Sequence, residues 1–177
     1  PTSSRRQRQM CIRDRYFVEN QSGKENKHDK LAASMSALII KSHVKDGIEM
    51  AKQHRLPKQI IDFIPQHHGT SLIEYFYDKA QQEASEEEEV SESHYRYPGP
   101  KPQTKEAVIL MLADQIEASS RTLNDPTPAK IQGMVQKMIN KVFSSGELEE
   151  SNLTLRDLHL IARSFTRVLN GIYHRRI

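Results

Sequence analysis

The sequence predicts an all-α fold. Apolar residues recur at helical spacing over most of the 177 residues, no stretch alternates as a half-buried strand would, and no internal repeat is visible. The length suffices for one domain with a proper core. No apolar run approaches the ~20 residues that a membrane span needs, and no apolar segment of a secretory signal follows the basic N-terminus. The sequence therefore indicates a soluble helical domain.

The first 15 residues are set apart by their composition. The segment PTSSRRQRQMCIRDR has no periodicity and is similar to a translated sequencing adapter, so residues 1–15 are interpreted as a non-native or disordered tail. It carries five arginines, and without it the chain has 21 basic and 22 acidic residues. The formal charge of +3 is therefore poor evidence for a nucleic-acid polymer as partner. The lone Cys11 excludes an internal disulfide and fits a reducing compartment.

The first two predicted helices lead towards a pair of histidines. Apolar positions indicate a helix from Leu31 to about Ala51, which contains His43 and which Gly47 is expected to kink or split. Pro57 opens a second helix, because proline is acceptable at the first helical position. A histidine such as His43 is more often a packed or surface residue than a ligand, so its role depends on the remaining chain.

Two adjacent histidines, His67 and His68, occupy the predicted end of the second helix. Adjacent helical residues point about 100° apart, so their rings converge on one point most easily at a terminus. Gly69 follows them and suits the left-handed conformation that closes helices. Because imidazole is a common metal ligand, the pair predicts either a metal site or two ordinary surface histidines. Thr70 or Ser71 is then expected to cap the third helix.

Two loops follow the third helix. Residues 86–89 are four successive glutamates, a pattern typical of a solvated loop. Residues 95–102 contain three prolines and one glycine, which predict an ordered or semi-rigid loop. Tyr97 and Lys101 give this second loop an aromatic ring and a cation. They either face a nucleotide or pack on the domain.

The fourth predicted helix, Lys105 to Leu123, is the most apolar. Asp114 ends its apolar run, and a carboxylate there is costly to bury unless it is paired or bound to a cation. Arg121 lies seven residues further on, roughly on the same helical face, and is the alternative partner. Asp114 is therefore either a cation ligand or one half of an ion pair.

The last two helices have clear terminal signals. Thr127 and Pro128 are predicted as the N-cap and first residue of the fifth helix, which Gly146 closes. Thr154 and Asp157 have the spacing of a capping box at the start of the sixth helix.

These residues belong to long strings that identify a resemblance. The chain from 16 to 177 resembles a partial HD domain of the metal phosphohydrolases, in particular of their seven-transmembrane bacterial branch that degrades cyclic di-AMP. The strings that carry the resemblance are YFVENQ at 16–21, SALIIKSHVKDG at 36–47, QHHGTSLIEYFY at 66–77, RYPGPKPQTKEAVILMLAD at 96–114 and FTRVLNGIYHRRI at 165–177.

The resemblance implies two divalent transition metals, manganese or iron, and a helical bundle. His43, His67 and His68 would bind one metal and Asp114 the other. The metals would hold the phosphodiester and generate the hydroxide that attacks it, converting cyclic di-AMP to linear pApA. No catalytic side chain is assigned.

The resemblance also implies substrate contacts. Arg121 matches a position at which related enzymes place a phosphate-contacting arginine, and Lys101 and Tyr97 are candidate contacts of the nucleotide. Enzymes that cleave cyclic di-GMP follow their histidine pair with Gly-Tyr-Pro. Here GTSLIEYFY follows the pair, which favours cyclic di-AMP.

One part of the family pattern has no match. The upstream histidine and the His-Asp pair that bridges the metals belong shortly before the segment matching YFVENQ, where the tail stands, and His28-Asp29 lies after that segment. We therefore expect missing N-terminal helices, a partial metal site and little or no activity. The domain is expected on the cytoplasmic side of a bacterial inner-membrane protein whose transmembrane helices are not in this sequence. A helical ligand-sensing or interaction module without catalysis is the alternative.

Overall fold

A computed structural model describes residues 27–85 and 88–174. These residues form two 3-10 helices, Lys27–Lys30 and Glu92–Tyr95, and six α-helices, which are α1 Ala33–Gln53, α2 Lys58–Gln66, α3 Glu74–Glu83, α4 Lys105–Ser120, α5 Pro128–Ser144 and α6 Leu155–His174. Within these ranges no strand forms, and one isolated bridge joins Leu72 and Arg96. The all-α prediction is confirmed.

Several predictions concern residues outside the described ranges. They are the tail at 1–15, the YFVENQ segment and the missing His-Asp pair. Among the helices that the structure does describe, none has both the length and the hydropathy needed to cross a bilayer.

The chain divides into two compact units. Of the described residues, the first unit contains those up to Ile61 and those within Leu72–Tyr97, and the second contains Asp62–Ser71 and those from Pro98 onwards. In the first unit, alanines of α1 pack against an aromatic cluster, and small side chains allow this close approach. The buried members of this core are Ala33, Ala37, Phe76, Ala80 and Tyr95.

The second unit has the larger core, in which α5 packs against both α4 and α6. The α4 residues Val108, Met111 and Leu112 are fully buried, and each such side chain contributes about 1.5–3 kcal/mol of transfer free energy. Their spacing leaves Asp114 outside the buried stripe, with its side chain 48% exposed. The expected burial cost of this carboxylate therefore does not arise.

The predicted caps of the last two helices are confirmed. The Thr127 hydroxyl accepts a hydrogen bond from the Lys130 N–H at the start of α5, and Gly146 follows the helix with a φ of +75°. At the start of α6, the Thr154 N–H donates to Asp157 Oδ2 (3.0 Å) and the Asp157 N–H donates to Thr154 Oγ1 (3.2 Å). This reciprocal pair is a capping box with aspartate in the place of glutamate.

We expect Asp157→Ala to lower stability in a pH-dependent way. The hydrogen bond from Lys105 Nζ (2.8 Å), followed by those from Thr154, holds the pKa of Asp157 well below its usual range. A lowered folded-state pKa contributes stability that is present above the ordinary value near 3.8 and is lost as pH falls through the folded-state value. The melting temperature of the variant should therefore be below that of the wild type at pH 7, and the gap should narrow below about pH 4.

Glu150→Ala is the matched control, since this neighbouring carboxylate is exposed. Its melting temperature should follow that of the wild type at every pH. A gap for Asp157→Ala that stays constant from pH 7 to pH 2 would contradict the linkage.

Two local expectations are wrong. The helix α1 continues through Gly47, because glycine without a proline weakens a helix by only about 0.5–1 kcal/mol and leaves its hydrogen bonds intact. Neither Thr70 nor Ser71 caps α3, whose N-cap residue is Ile73 without a side-chain cap. The Thr70 hydroxyl is not available, because it donates to the carboxylate of Glu147.

Candidate metal centre

The histidine pair lies on a tight turn at the end of α2. The His67 N–H donates to the Phe63 carbonyl (3.0 Å), so helical winding continues past Gln66 despite the proline at 65. Gly69 then adopts a φ of +54°, which confirms the predicted left-handed position. The chain turns away at this glycine, and both imidazoles remain at the helix end. Their ring centroids are 3.9 Å apart.

The ring of His67 has a defined tautomer. Its Nδ1 lies 2.5 Å from the Ile64 carbonyl oxygen, which accepts but cannot donate, so Nδ1 carries the proton. In the neutral ring Nε2 therefore has the lone pair. Histidines that bind metals are held in this way, with one nitrogen donating to a carbonyl and the other free to coordinate.

Asp114 is the third predicted metal ligand in the second unit, after His67 and His68. Its Oδ2 lies 3.8 Å from His68 Nδ1, which is too long for a hydrogen bond. Side chains at this distance can bind two adjacent metal ions, which in two-metal sites lie about 3.5–4 Å apart, as the prediction of His68 on one metal and Asp114 on the other requires. His68 is 15% exposed and Asp114 48% exposed, which leaves the group accessible from solvent. Nitrogen and carboxylate donors in this combination suit manganese, iron or zinc.

His43 lies in the first unit on α1. Its Nδ1 is 2.5 Å from the Ile40 carbonyl oxygen, so the tautomer argument made for His67 applies here as well. Tyr97 meets the His43 ring edge-on, with the centroids 6.1 Å apart. A predicted ligand and a predicted nucleotide contact are thus neighbours.

The two cations predicted to contact the substrate have acidic partners. Lys101 Nζ lies 3.0 Å from Glu149 Oε2, and this hydrogen bond is the main cause of the raised pKa of Lys101. Arg121 Nε lies 2.7 Å from Glu117 Oε1 one turn earlier in the chain. Both cations are held by exposed carboxylates that a phosphate could replace, and their role as substrate contacts stays a prediction.

Sequence reasoning missed Glu147. This glutamate is 1% exposed and accepts hydrogen bonds from the Thr70 N–H (2.9 Å) and the Thr70 hydroxyl (2.5 Å). Its sequence context, GELEE, is typical of a solvated acidic turn after a helix. The only available signal was Gly146, which marks the helix end but not the burial of the next side chain.

A helical bundle with paired imidazoles beside a carboxylate defines a candidate metal-binding domain. The HD domain family matches residues 18–119, more than half of the chain. The chain belongs to the HD domain family, whose members bind divalent metals.

Two curated relatives carry the same name, cyclic-di-AMP phosphodiesterase PgpH. The protein from Bacillus subtilis is 42% identical over 93% of this chain, and that from Listeria monocytogenes is 44% identical over 94%. The chain spans about a quarter of their length, 23% in each case.

Two solved structures of the HD domain of L. monocytogenes phosphodiesterase PgpH are similar to this fold. One has a TM-score of 0.84 at 44% identity and covers 92% of this chain and 75% of that chain. The other, in complex with cyclic-di-AMP, has a TM-score of 0.85 at 43% identity and covers 92% and 74%.

Proposed function

We propose that this chain is the HD domain of a metal-dependent phosphodiesterase that hydrolyses cyclic di-AMP to linear pApA. The observation that carries the proposal is the pair His67 and His68 beside Asp114, inside the part of the chain that the HD family matches. The names of the relatives and the cyclic-di-AMP complex of a similar domain support the choice of substrate.

The proposed ligands are His43, His67, His68 and Asp114. The hydrogen bonds from His43 and His67 to the carbonyls of Ile40 and Ile64 leave Nε2 as the coordinating atom of each of these two rings. We propose that two divalent metals, manganese or iron, occupy the complete site. When bound, they supply Lewis-acid chemistry that activates water and neutralises charge on the phosphodiester.

The chain's own residues bind and orient the substrate in this proposal. Lys101 and Arg121 exchange their carboxylate partners for phosphate oxygens, and Tyr97 provides a ring for base stacking. Hydrolysis adds the oxygen of one water to phosphorus, breaks the P–O3′ bond and leaves a proton on the 3′ oxygen. Cutting one of the two phosphodiesters opens the ring and yields pApA.

We propose that the parent protein places this domain on the cytoplasmic side of a bacterial inner membrane. The basis is the resemblance to the seven-transmembrane branch. Contact with the membrane would be made by parts of the parent protein other than this domain.

This chain alone is expected to hydrolyse cyclic di-AMP slowly or not at all with manganese. The residues that bridge two metals in the family are a His-Asp pair, and the only such pair in this sequence, His28-Asp29, follows the YFVENQ segment instead of preceding it. We therefore expect the chain to bind metal weakly. Ion-exchange chromatography of the reaction mixture should detect no pApA. Rapid turnover would show that the four proposed ligands suffice or that His28-Asp29 has been recruited.

The decisive comparison uses the chain beside a version in which residues 1–15 are replaced by the corresponding His-Asp segment of the B. subtilis relative. The second protein should convert cyclic di-AMP to pApA and should act poorly on cyclic di-GMP. If it binds two metals and cyclic di-AMP but releases no pApA, the alternative of a ligand-sensing module replaces the phosphodiesterase. If the second protein binds neither metal nor cyclic di-AMP, the phosphodiesterase and the ligand-sensing module are both wrong.

A further inference from the structure

We infer that Glu147 positions the histidine pair, so that metal affinity depends on a buried carboxylate in the turn that follows α5. This inference rests on the proposed metal site. Glu147 lies outside residues 18–119, the part of the chain that the HD family matches. It contacts the turn of the pair but is not itself proposed as a ligand.

The contact is a two-point hydrogen bond to one residue. Glu147 Oε2 accepts from the Thr70 N–H at 2.9 Å, and Oε1 accepts from the Thr70 hydroxyl at 2.5 Å. Both oxygens of the carboxylate thus hold the backbone and the side chain of the residue two positions after His68. Two bonds to a planar carboxylate restrict both the position and the orientation of Thr70.

The burial of Glu147 costs more free energy than a residue that only fills space would need to spend. A carboxylate that is 1% exposed loses its hydration, and an apolar residue of similar volume would fill the same space at less cost. The carboxyl group is retained at a position where its two oxygens accept hydrogen bonds from one turn. Specification of a particular geometry is the role that accounts for such a group.

The packing around Gly69 ties the turn to the rest of the site. A Cβ at this position would lie 2.2 Å from Glu147 Oε2 and 2.8 Å from Met111 Cε, so the turn rests directly on both side chains. Met111 is fully buried on α4, one turn before Asp114. The residue after the histidine pair is therefore held by the helix that carries Asp114 and by the carboxylate that follows α5.

The test compares four variants of the chain. Glu147→Ala removes both hydrogen bonds to Thr70. Glu147→Gln keeps two hydrogen bonds to Thr70, because the amide oxygen accepts from the Thr70 N–H and the amide nitrogen donates to the hydroxyl. Thr70→Val removes only the hydroxyl at nearly constant volume. Glu150→Ala is the matched control, an exposed glutamate three residues further along the chain.

Two measurements are made on each variant after circular dichroism has shown that it is folded. Hydrogen exchange of the Thr70 amide in the metal-free chain reports the turn, and optical titration with Co²⁺ reports metal affinity. We expect Glu147→Ala to accelerate exchange and to weaken Co²⁺ binding about 10–100-fold, the usual effect of losing a residue that orients a ligand. The Co²⁺ affinity of Glu147→Gln should stay within about threefold of the wild-type value, and that of Glu150→Ala should be unchanged. The affinity of Thr70→Val should lie between those of Glu147→Gln and Glu147→Ala.

Unchanged Co²⁺ affinity in Glu147→Ala would overturn the inference. A loss in Glu147→Gln as large as that in Glu147→Ala would also overturn it, since charge and not position would then be responsible. If Glu147→Ala does not fold, the Co²⁺ affinity of Thr70→Val decides instead, and an unchanged affinity in that variant would overturn the inference.

Failure of the proposed function gives a different result. If the unmodified chain binds no Co²⁺, the metal proposal fails whatever Glu147 does. The positioning role is then decided by the metal-free chain. Slow exchange of Thr70 in Glu147→Ala overturns it, and fast exchange with the rest of the fold retained supports it.

Discussion

Replacing His68 by alanine is expected to weaken metal binding by at least about 100-fold, because a lost ligand costs more than the 10–100-fold typical of a residue that only orients one. His68 is the member of the pair whose Nδ1 lies 3.8 Å from Asp114, so its removal separates the imidazole and carboxylate donors. In the version that carries the His-Asp segment of the B. subtilis relative, the change should remove at least one metal per chain. Metal content by mass spectrometry and Co²⁺ titration measure the two effects.

His54→Ala is the matched control for this experiment. His54 is an exposed histidine at the end of α1 and is not among the proposed ligands. Its loss should leave metal content and affinity as in the wild type. Full metal occupancy in His68→Ala, together with cyclic di-AMP hydrolysis retained by this variant of the version with the His-Asp segment, would show that the pair is structural.

The largest expected effect on folding comes from Gly69→Ala. Alanine at a φ of +54° costs about 1–2 kcal/mol. Its Cβ would also meet Glu147 Oε2 at 2.2 Å and Met111 Cε at 2.8 Å, and overpacking of this kind costs about 1–3 kcal/mol. The free energy of unfolding, measured by urea denaturation of the metal-free chain, should therefore fall by about 2–5 kcal/mol.

Gly133→Ala provides the comparison. Gly133 lies inside α5, and a Cβ there would meet no atom within 4 Å other than the adjacent backbone of its own helix, so alanine should stabilise the chain by about 0.5–1 kcal/mol. Opposite signs at the two glycines would confirm the packing argument. A loss below about 1 kcal/mol for Gly69→Ala would mean that the turn relaxes away from Glu147.

Sequence alone predicted those parts of the fold that depend on neighbouring residues. Helical periodicity located all six described helices, and the caps at Thr127 and Thr154 were correct because each partner lies three residues away. The cap assigned to Thr70 was wrong for the opposite reason. Its hydroxyl bonds to Glu147, 77 residues along the chain, and no local pattern records that distance.

The same division applies to the candidate site. Gly69 and the convergence of His67 and His68 follow from the chemistry of a helix end, so they were predictable. The 3.8 Å distance between His68 and Asp114 depends on how α4 packs beside the turn and was not predictable from spacing. The exposure of Asp114 was misjudged, because an apolar run in the sequence does not show which face of a helix is buried.

The bond between Thr70 and Glu147 also sets an order of events during synthesis. At about 5–20 residues per second, the 77 residues that are added after Thr70, up to and including Glu147, take on the order of 4–15 seconds to be translated. Throughout that interval His67 and His68 have already been added to the chain. The carboxylate of Glu147, which accepts the hydrogen bonds from their turn, has not yet been made. We expect stable metal loading to wait until the chain has been made past Glu147, so metal acquisition by this domain would be a late step of its biogenesis.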